Sequence, residues 1–320
     1  MILIISIDQD DTTTQVIRWL SYYGIPFCRI NEYDLIDAID WDLNSNKISL
    51  RFNNRLIHFH EITAYWYRKG NFKFDQTIEK LVESKLSKET ELLLQFEHKA
   101  TIRSLHQQLS TIKGLSNYNL SKVNKLEVLQ IAQHHGLLIP ATRILSDRSK
   151  LCAFIAEKGE VITKVLDSPM EYYRDTFWLP NYTEALDLEK ANALPEKFGP
   201  SLFQERVEKE YEVRTVFLHG KCYSMAIFSQ SDQQTTVDFR HYNFQKPNRT
   251  VPFLLPDAEQ KKLRKLMADL GLDFGSVDFM VDKEGQYIFL EVNPVGQFGM
   301  TSYPCNYHLE KAVAEFLISA

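Results

Sequence analysis

At 320 residues, with 44% hydrophobic and 25% charged side chains, the chain has an ordinary globular composition and core enough for about two or three domains. A net charge of −5 argues against a non-specific nucleic-acid binder, and no apolar run reaches the roughly 18 residues of a membrane span. The cysteines (Cys28, Cys152, Cys222, Cys305) are scattered without metal-site spacing, which fits free thiols in a reducing cytoplasm.

The opening MILIISIDQDD has no basic start and turns acidic after Ile7, so it reads as a buried first strand, not a signal segment. Residues 12–23 place Val16, Ile17 and Leu20 at helical spacing up to Gly24, and IPFCRI begins a second strand. That is one βαβ unit, the start of an α/β domain. KISLRFNNRLIHF predicts a hairpin turning at Asn53-Asn54, and AYWYRK a further strand. Residues 77–109 are amphipathic, one or two helices whose apolar stripe is a candidate homodimer interface.

LSNYNLSKVNK punctuates the chain. Three domains are expected: N-terminal α/β over 1–116, central α/β over 117–199, and C-terminal antiparallel over 200–320. The central one begins with a helix over 124–135, the strand LLIPATRIL, a short helix over 148–157 and the strand GEVITKVL. Residues 167–199 read as irregular. Then follow SLFQERV, the hairpin YEVRTVFLHGKCYSMAIFS turning at His219-Gly220, TVDFRHYN, a helix over 257–270 and a last hairpin.

That last hairpin, GSVDFMVDKEGQYIFLEVNPVGQFG, carries the main chemical signal. Strand side chains alternate faces, so Glu291 and Asn293 point the same way. A two-residue loop at Glu284-Gly285 sets Asp278 opposite Glu291, and three oxygen ligands then share one face, as Mg²⁺ requires. A three-residue loop with a bulge at Gly285 sets Leu290 opposite Asp278 instead. The competing reading is a solvated hairpin face. Lys164, alone among apolar neighbours in EVITKVL, either needs an anion or sits on an edge strand. Lys125 opens a helix capped by Asn124 and Glu127, where a cation opposes the helix dipole: it is either a tolerated surface lysine or one that a nearby phosphate makes favourable. Glu212 and Arg214 share a strand face, with Arg240 on a following segment: a phosphoryl-transfer site in outline, or ordinary salt bridges. The histidines have no zinc spacing, and no glycine-rich nucleotide motif or serine-hydrolase motif is present.

Taken in order, NKLEVLQIAQHHGLLIPAT, VITKV, FQERV, the acid and arginines after it, and the D…E-x-N hairpin resemble the ATP-grasp superfamily over about residues 117–300. MILIISIDQDDTTTQVIRWLSYYGIPFCRIN and WYRKG resemble its peptide-modifying branch, the graspetide (microviridin-type) synthetases of the grasp-with-spasm group. The resemblance implies an ATP-grasp fold, with an N-terminal pre-ATP-grasp domain before the central and C-terminal ones. It implies ATP and Mg²⁺: Lys125 and Lys164 on phosphates, Gln204, Glu205 and Val207 at adenine, Glu212 on ribose. Asp278, Glu291 and Asn293 would hold the metal, and Arg214 and Arg240 the transferring phosphoryl group. One departure is VLDSPMEYYRDTFWLP after Lys164, which lacks the glycines that cradle phosphate in many ATP-grasp enzymes.

The branch further implies a cytoplasmic ligase acting on a precursor peptide, with no nucleic-acid or membrane partner. Asp or Glu carboxylates would become acyl phosphates and close ω-esters to Thr or Ser. Two alternatives share the nucleotide residues: a ligase joining two separate substrates, as the ribosomal-protein glutamate ligases do, and a non-catalytic nucleotide-binding scaffold. His241, beside Arg240, is a candidate general base.

Overall fold

The first strand forms where the chain is most apolar: β1 (Ile2–Ser6) is buried at every position. The computed structural model describes residues 1–74, 88–166, 172–174, 177–179, 183–230 and 248–319. After β1, Asp10 caps helix α1 (Asp11–Tyr22) by accepting from Thr13 N at 2.7 Å. Then come β2 (Phe27–Asn31), β3 (Leu35–Asp42), β4 (Lys47–Phe52) and β5 (Arg55–His58). Asn53 and Asn54 take φ of 48° and 58°, the left-handed pair that a two-residue hairpin needs, and Phe52 pairs with Arg55 across them. β6 (Ala64–Tyr67), β7 (Lys73–Phe74), α2 (Lys88–Leu109) and β8 (Gly114–Leu115) follow.

Next along the chain are α3 (Lys125–His134), β9 (Thr142–Asp147), α4 (Arg148–Lys158) and β10 (Val161–Lys164). The stretch read as irregular holds β11 (Tyr172–Arg174), β12 (Phe177–Leu179), β13 (Glu184–Leu186) and α5 (Leu188–Asn192). These elements are three to five residues long, too short to show a periodic pattern. β14 (Lys197–Glu205), β15 (Lys209–Leu218), β16 (Lys221–Phe228), β17 (Arg249–Phe253) and α6 (Asp257–Asp269) come next. The last elements are β18 (Phe274–Asp282), β19 (Tyr287–Asn293), α7 (Gly299–Cys305) and α8 (Leu309–Ile318). TVDFRHYN, with Arg240 and His241, lies outside the described residues, as does the start of the stretch over 77–109.

The chain divides into two compact units. One comprises Met1–Lys122, Leu272–Phe274 and Pro294–Ala320. Its parallel sheet runs β2-β1-β6-β8, and a second sheet runs β5-β4-β3-β7. Leu3, Ile5, Ile30, Leu50, Tyr65 and Leu105 meet in its core. Arg68, past the end of β6, lies 3.5 Å from Asp10 and donates to Val295 O at 2.5 Å. Both charged side chains are almost wholly buried, which is tolerable because they pair.

His106 on α2 is buried in this unit. Asn71 Oδ1 accepts from Phe72 N (2.9 Å), so it also accepts from His106 Nε2 (3.2 Å), and Nδ1 is left to accept from Tyr65 OH (2.8 Å). The ring stacks on Tyr118 and Phe72. Burial pulls this imidazole down to about 3 from its ordinary 6.5. The folded state thus binds this proton less readily than the unfolded state. Its neutral form stabilises the fold fully above pH 6.5, and that stability is lost progressively as pH falls from there toward 3. Urea titrations at pH 7 and pH 4.5 should show the wild type losing more unfolding free energy than His106→Phe. Equal losses would mean that His106 is not buried neutral.

The second unit comprises Val123–Gly271 and Gly275–Asn293. Its four-stranded sheet runs β13-β10-β14-β9, its five-stranded sheet β17-β16-β15-β18-β19, and β11 pairs with β12. Leu151, Phe154 and Ile155 of α4 pack on Val161, Leu186 and Phe203 of the first sheet. The SLFQERV strand therefore belongs with β9 and β10, not with the hairpin that follows it. β9 starts only at Thr142, whereas Leu138 makes a lone parallel bridge to Ile288 of β19.

Candidate functional site

The β18–β19 hairpin turns through three residues, not two. Asp282 N donates to Gln286 O (3.2 Å), Gly285 N donates to Asp282 O (3.1 Å), and Gly285 adopts φ 77°, where a side chain would be strained. From this turn Val281 pairs with Tyr287, Met280 with Ile288 and Phe279 with Phe289. Continued unbroken, that register would set Leu290 opposite Asp278. A bulge at Leu290 absorbs one residue instead, and Asp278 pairs with Glu291, Val277 with Val292, and Ser276 with Asn293. The two-residue turn is thus corrected, while the Asp278–Glu291 pairing is present because one irregularity offsets the other. Asp278, Glu291 and Asn293 share a strand face.

β15 is the neighbouring strand, and its Arg214 approaches Asp278. A single nitrogen, Nη1, straddles both carboxylate oxygens at 3.3 and 3.4 Å. Lys164, the last residue of β10, places Nζ 4.0 Å from Glu291 Oε2. Lys125 opens α3 behind its cap, where Asn124 Oδ1 accepts from Leu126 N at 2.9 Å. Its Nζ donates to Val165 O at 2.9 Å, so the two lysines converge on the end of β10. Each acid thus faces a cation, with a third cation one residue away.

The donor set fits Mg²⁺: two carboxylates and an amide oxygen, all hard, leaving coordination positions for water and phosphate. Among the described residues, no three His, Cys, Asp or Glu side chains group as a metal site. A set in which only two members are carboxylates is consistent with that.

Beside this face, β14 runs out through Gln204 and Glu205 into Arg206 and Val207. Glu205 N donates to Ala141 O (2.8 Å), and Arg206 N to Glu160 O (3.1 Å). Ile162, Gln204, Glu205, Val207, Met280 and Leu290 are among the residues around a slot of about 30 Å³, roughly the share of one water. Leu290 is the bulged residue, and this is where its side chain goes. A cavity of about 670 Å³ shares Pro140, Glu205, Arg206, Val207 and Lys209 with the slot and is of ligand size.

Gln204 is 1% exposed. Thr142 spends its hydroxyl proton on Pro140 O (2.8 Å), so its oxygen must accept from Gln204 Nε2 (2.9 Å). That fixes the amide orientation and leaves Oε1 as a buried acceptor with no hydrogen-bond partner among the described residues. Glu212, also buried, pairs with Lys209 and accepts from Ser229 Oγ at 3.1 Å. Burial pushes its carboxyl upward, opposed by Lys209 and Ser229.

Ile162, Met280, Leu290, Lys209 and Ser229 were not anticipated from the sequence. The first three read as ordinary core, and Lys209 in VEKEYE reads as a solvated charge run.

No protein-family model and no curated protein sequence matches the chain. Solved structures do. A RiPP-associated ATP-grasp ligase from Chryseobacterium gregarium, in complex with ADP and a leader and core peptide, is similar at 22% identity and TM-score 0.85, over 99% of this chain and 96% of that one. The macrocyclase MdnC from Microcystis aeruginosa, bound to precursor peptide MdnA, is similar at 24% identity and TM-score 0.81, over 100% and 99%. The ATP-grasp ligase PsnB, with minimal precursor, Mg and ADP, is similar at 16% identity and TM-score 0.73, over 99% and 96%. The chain has the ATP-grasp fold.

Proposed function

We propose that this protein is an ATP-dependent peptide macrocyclase. It activates Asp or Glu side-chain carboxylates of a precursor peptide as acyl phosphates and closes ω-esters to Thr or Ser hydroxyls. The observation that carries the reading is the face where Asp278, Glu291 and Asn293 meet Arg214 and Lys164, beside a slot lined by Gln204, whose buried Oε1 has no partner among the described residues. Support comes from the similar proteins: the Chryseobacterium ligase is in complex with ADP and a leader and core peptide, and PsnB with Mg, ADP and minimal precursor.

Asp278, Glu291 and Asn293 would hold Mg²⁺, which when bound neutralises phosphate charge. Lys125 and Lys164 face the α- and β-phosphates. Glu205 and Val207 hold the adenine through backbone groups, with Gln204 Oε1 beside it, and Glu212 holds the ribose. A carboxylate oxygen of the peptide attacks the γ-phosphorus, and ADP leaves. The Thr or Ser oxygen then attacks the acyl carbon, its proton passes to solvent, and phosphate departs with the former carboxylate oxygen. Arg214, with Arg240, steadies the transferring phosphoryl group and orients the carboxylate. Ring closure joins two groups of one peptide, so proximity supplies much of the rate.

The precursor peptide is the partner in this account, and the reducing cytoplasm its setting. Cys28, Cys152, Cys222 and Cys305 are free. No described helix is long and apolar enough to cross a membrane. Leu92, Leu93 and Phe96 stand exposed on one face of α2, and a homodimer would cover them. In sedimentation, Leu93→Glu with Phe96→Glu should run as monomer while the wild type runs as dimer; a wild-type monomer would overturn the homodimer.

The chemistry is tested by intact mass. With ATP, Mg²⁺ and candidate precursor peptides, each link should remove one water, and mild base should restore it. Persistence in base would replace esters with amides. An unchanged peptide, with consumption of a free amine and ATP, would replace the macrocyclase with a two-substrate ligase.

A further inference from the structure

Lys209 and Glu212 form an ion pair whose side chains are 3% and 7% exposed. Such a pair is seldom worth its desolvation as packing alone, since apolar residues of similar volume would be as stabilising or better. The pair also runs against strand geometry. Residues three apart on a regular strand face opposite ways. The β15–β16 ladder begins at Glu212–Ile227, so Lys209 lies before it and its long side chain turns back onto the glutamate. Ser229, two residues beyond Ile227 and so on the same face, donates to the same carboxylate at 3.1 Å. Both donors converge on one oxygen, Oε1, and Oε2 accepts from neither. Lys209 is also among the residues shared by the slot and the larger cavity.

We infer that Lys209 is a positioning residue for nucleotide sugar recognition: with Ser229 it anchors Glu212 through Oε1, so that Oε2 accepts from the ribose hydroxyls. This rests on the nucleotide reading above. Glu212 alone, buried without its lysine, would favour its neutral form, whose one proton makes it a poorer acceptor. Lys209 therefore sets how strongly the site prefers a ribonucleotide over one lacking sugar hydroxyls, by holding Glu212 in place.

The test is calorimetric binding of ATP and of 2′,3′-dideoxy-ATP with Mg²⁺, for wild type, Lys209→Met, Lys209→Arg and Ser229→Ala. Wild type should prefer ATP by roughly 10- to 100-fold, the range of hydrogen bonds to a charged group. Lys209→Met should cut that ratio to about 3-fold or less while dideoxy binding changes little, and Lys209→Arg should restore most of it, because the charge survives. Should Lys209→Met fail to fold, Ser229→Ala carries the test, with an expected drop in the ratio of about 3- to 10-fold for one hydroxyl hydrogen bond. Equal weakening of both nucleotides would make Lys209 merely structural and overturn the inference. So would a wild type indifferent to the sugar hydroxyls, although nucleotide binding would stand. A wild type that binds neither nucleotide would sink the nucleotide reading itself.

Discussion

Asp278→Asn and Glu291→Gln should each lower ATP-dependent peptide modification by about 10²- to 10⁴-fold, the several kcal/mol attributable to a bound metal at about 1.4 kcal/mol per tenfold. The substitutions keep the shape of the side chains and remove one charge each. The hairpin register, fixed by the Leu290 bulge, should therefore survive, and so should the fold. Two controls separate loss of metal from loss of structure. Thermal unfolding should change little for Glu291→Gln and by no more than the loss of the Arg214 ion pair for Asp278→Asn, and raising Mg²⁺ should recover part of the Glu291→Gln activity, since Asp278 and Asn293 remain. A variant at full activity in ordinary Mg²⁺ would remove that residue from the metal set.

Arg214→Met should cost about 10²-fold or more in turnover, in the range seen when one preorganised charge-stabilising donor is removed. Here stability should fall as well, by about 1–3 kcal/mol, because the variant removes a cation beside the partly buried Asp278 carboxylate. Arg214→Lys keeps a cation near Asp278 and should restore the stability more fully than the turnover. The contact to Asp278 uses a single nitrogen, so a lysine can replace that contact, but an ammonium cannot present the planar fork of a guanidinium to a phosphoryl group. If Arg214→Lys regained both equally, Arg214 would be a brace for Asp278 with no phosphoryl role. Steady-state kinetics and urea titration on the same preparations decide it.

How far the chain could be read depended on which interactions are local. Asn53-Asn54 and His219-Gly220 announced their hairpins because positive φ is a property of those residues themselves. Asn124 announced the start of α3 for a similar reason. The alternation of Glu291 and Asn293 placed them on one face whatever the turn. The turn was another matter: DKEG is compatible with two or three loop residues, and the compensating bulge falls at Leu290, beside the slot, where no local sequence signal marks it. Lys209 was hidden for the complementary reason. Its burial comes from strands brought together over the fold, and nothing in VEKEYE distinguishes it from the acids around it. Short elements such as β11, β12 and β13 carry too few residues for any period to register. The bond between Lys125 and Val165, 40 residues apart, could not be foreseen either, although Lys164 was legible as a cation in want of an anion and Lys125 as one set against the dipole of its helix.

The most direct measurement follows oxygen. A precursor peptide carrying ¹⁸O in its Asp and Glu side-chain carboxylates, incubated with the protein, ATP and Mg²⁺, should deliver one ¹⁸O to inorganic phosphate for each link closed, with ADP as the other product. Phosphate free of label, or AMP in place of ADP, would contradict activation of the carboxylate as an acyl phosphate.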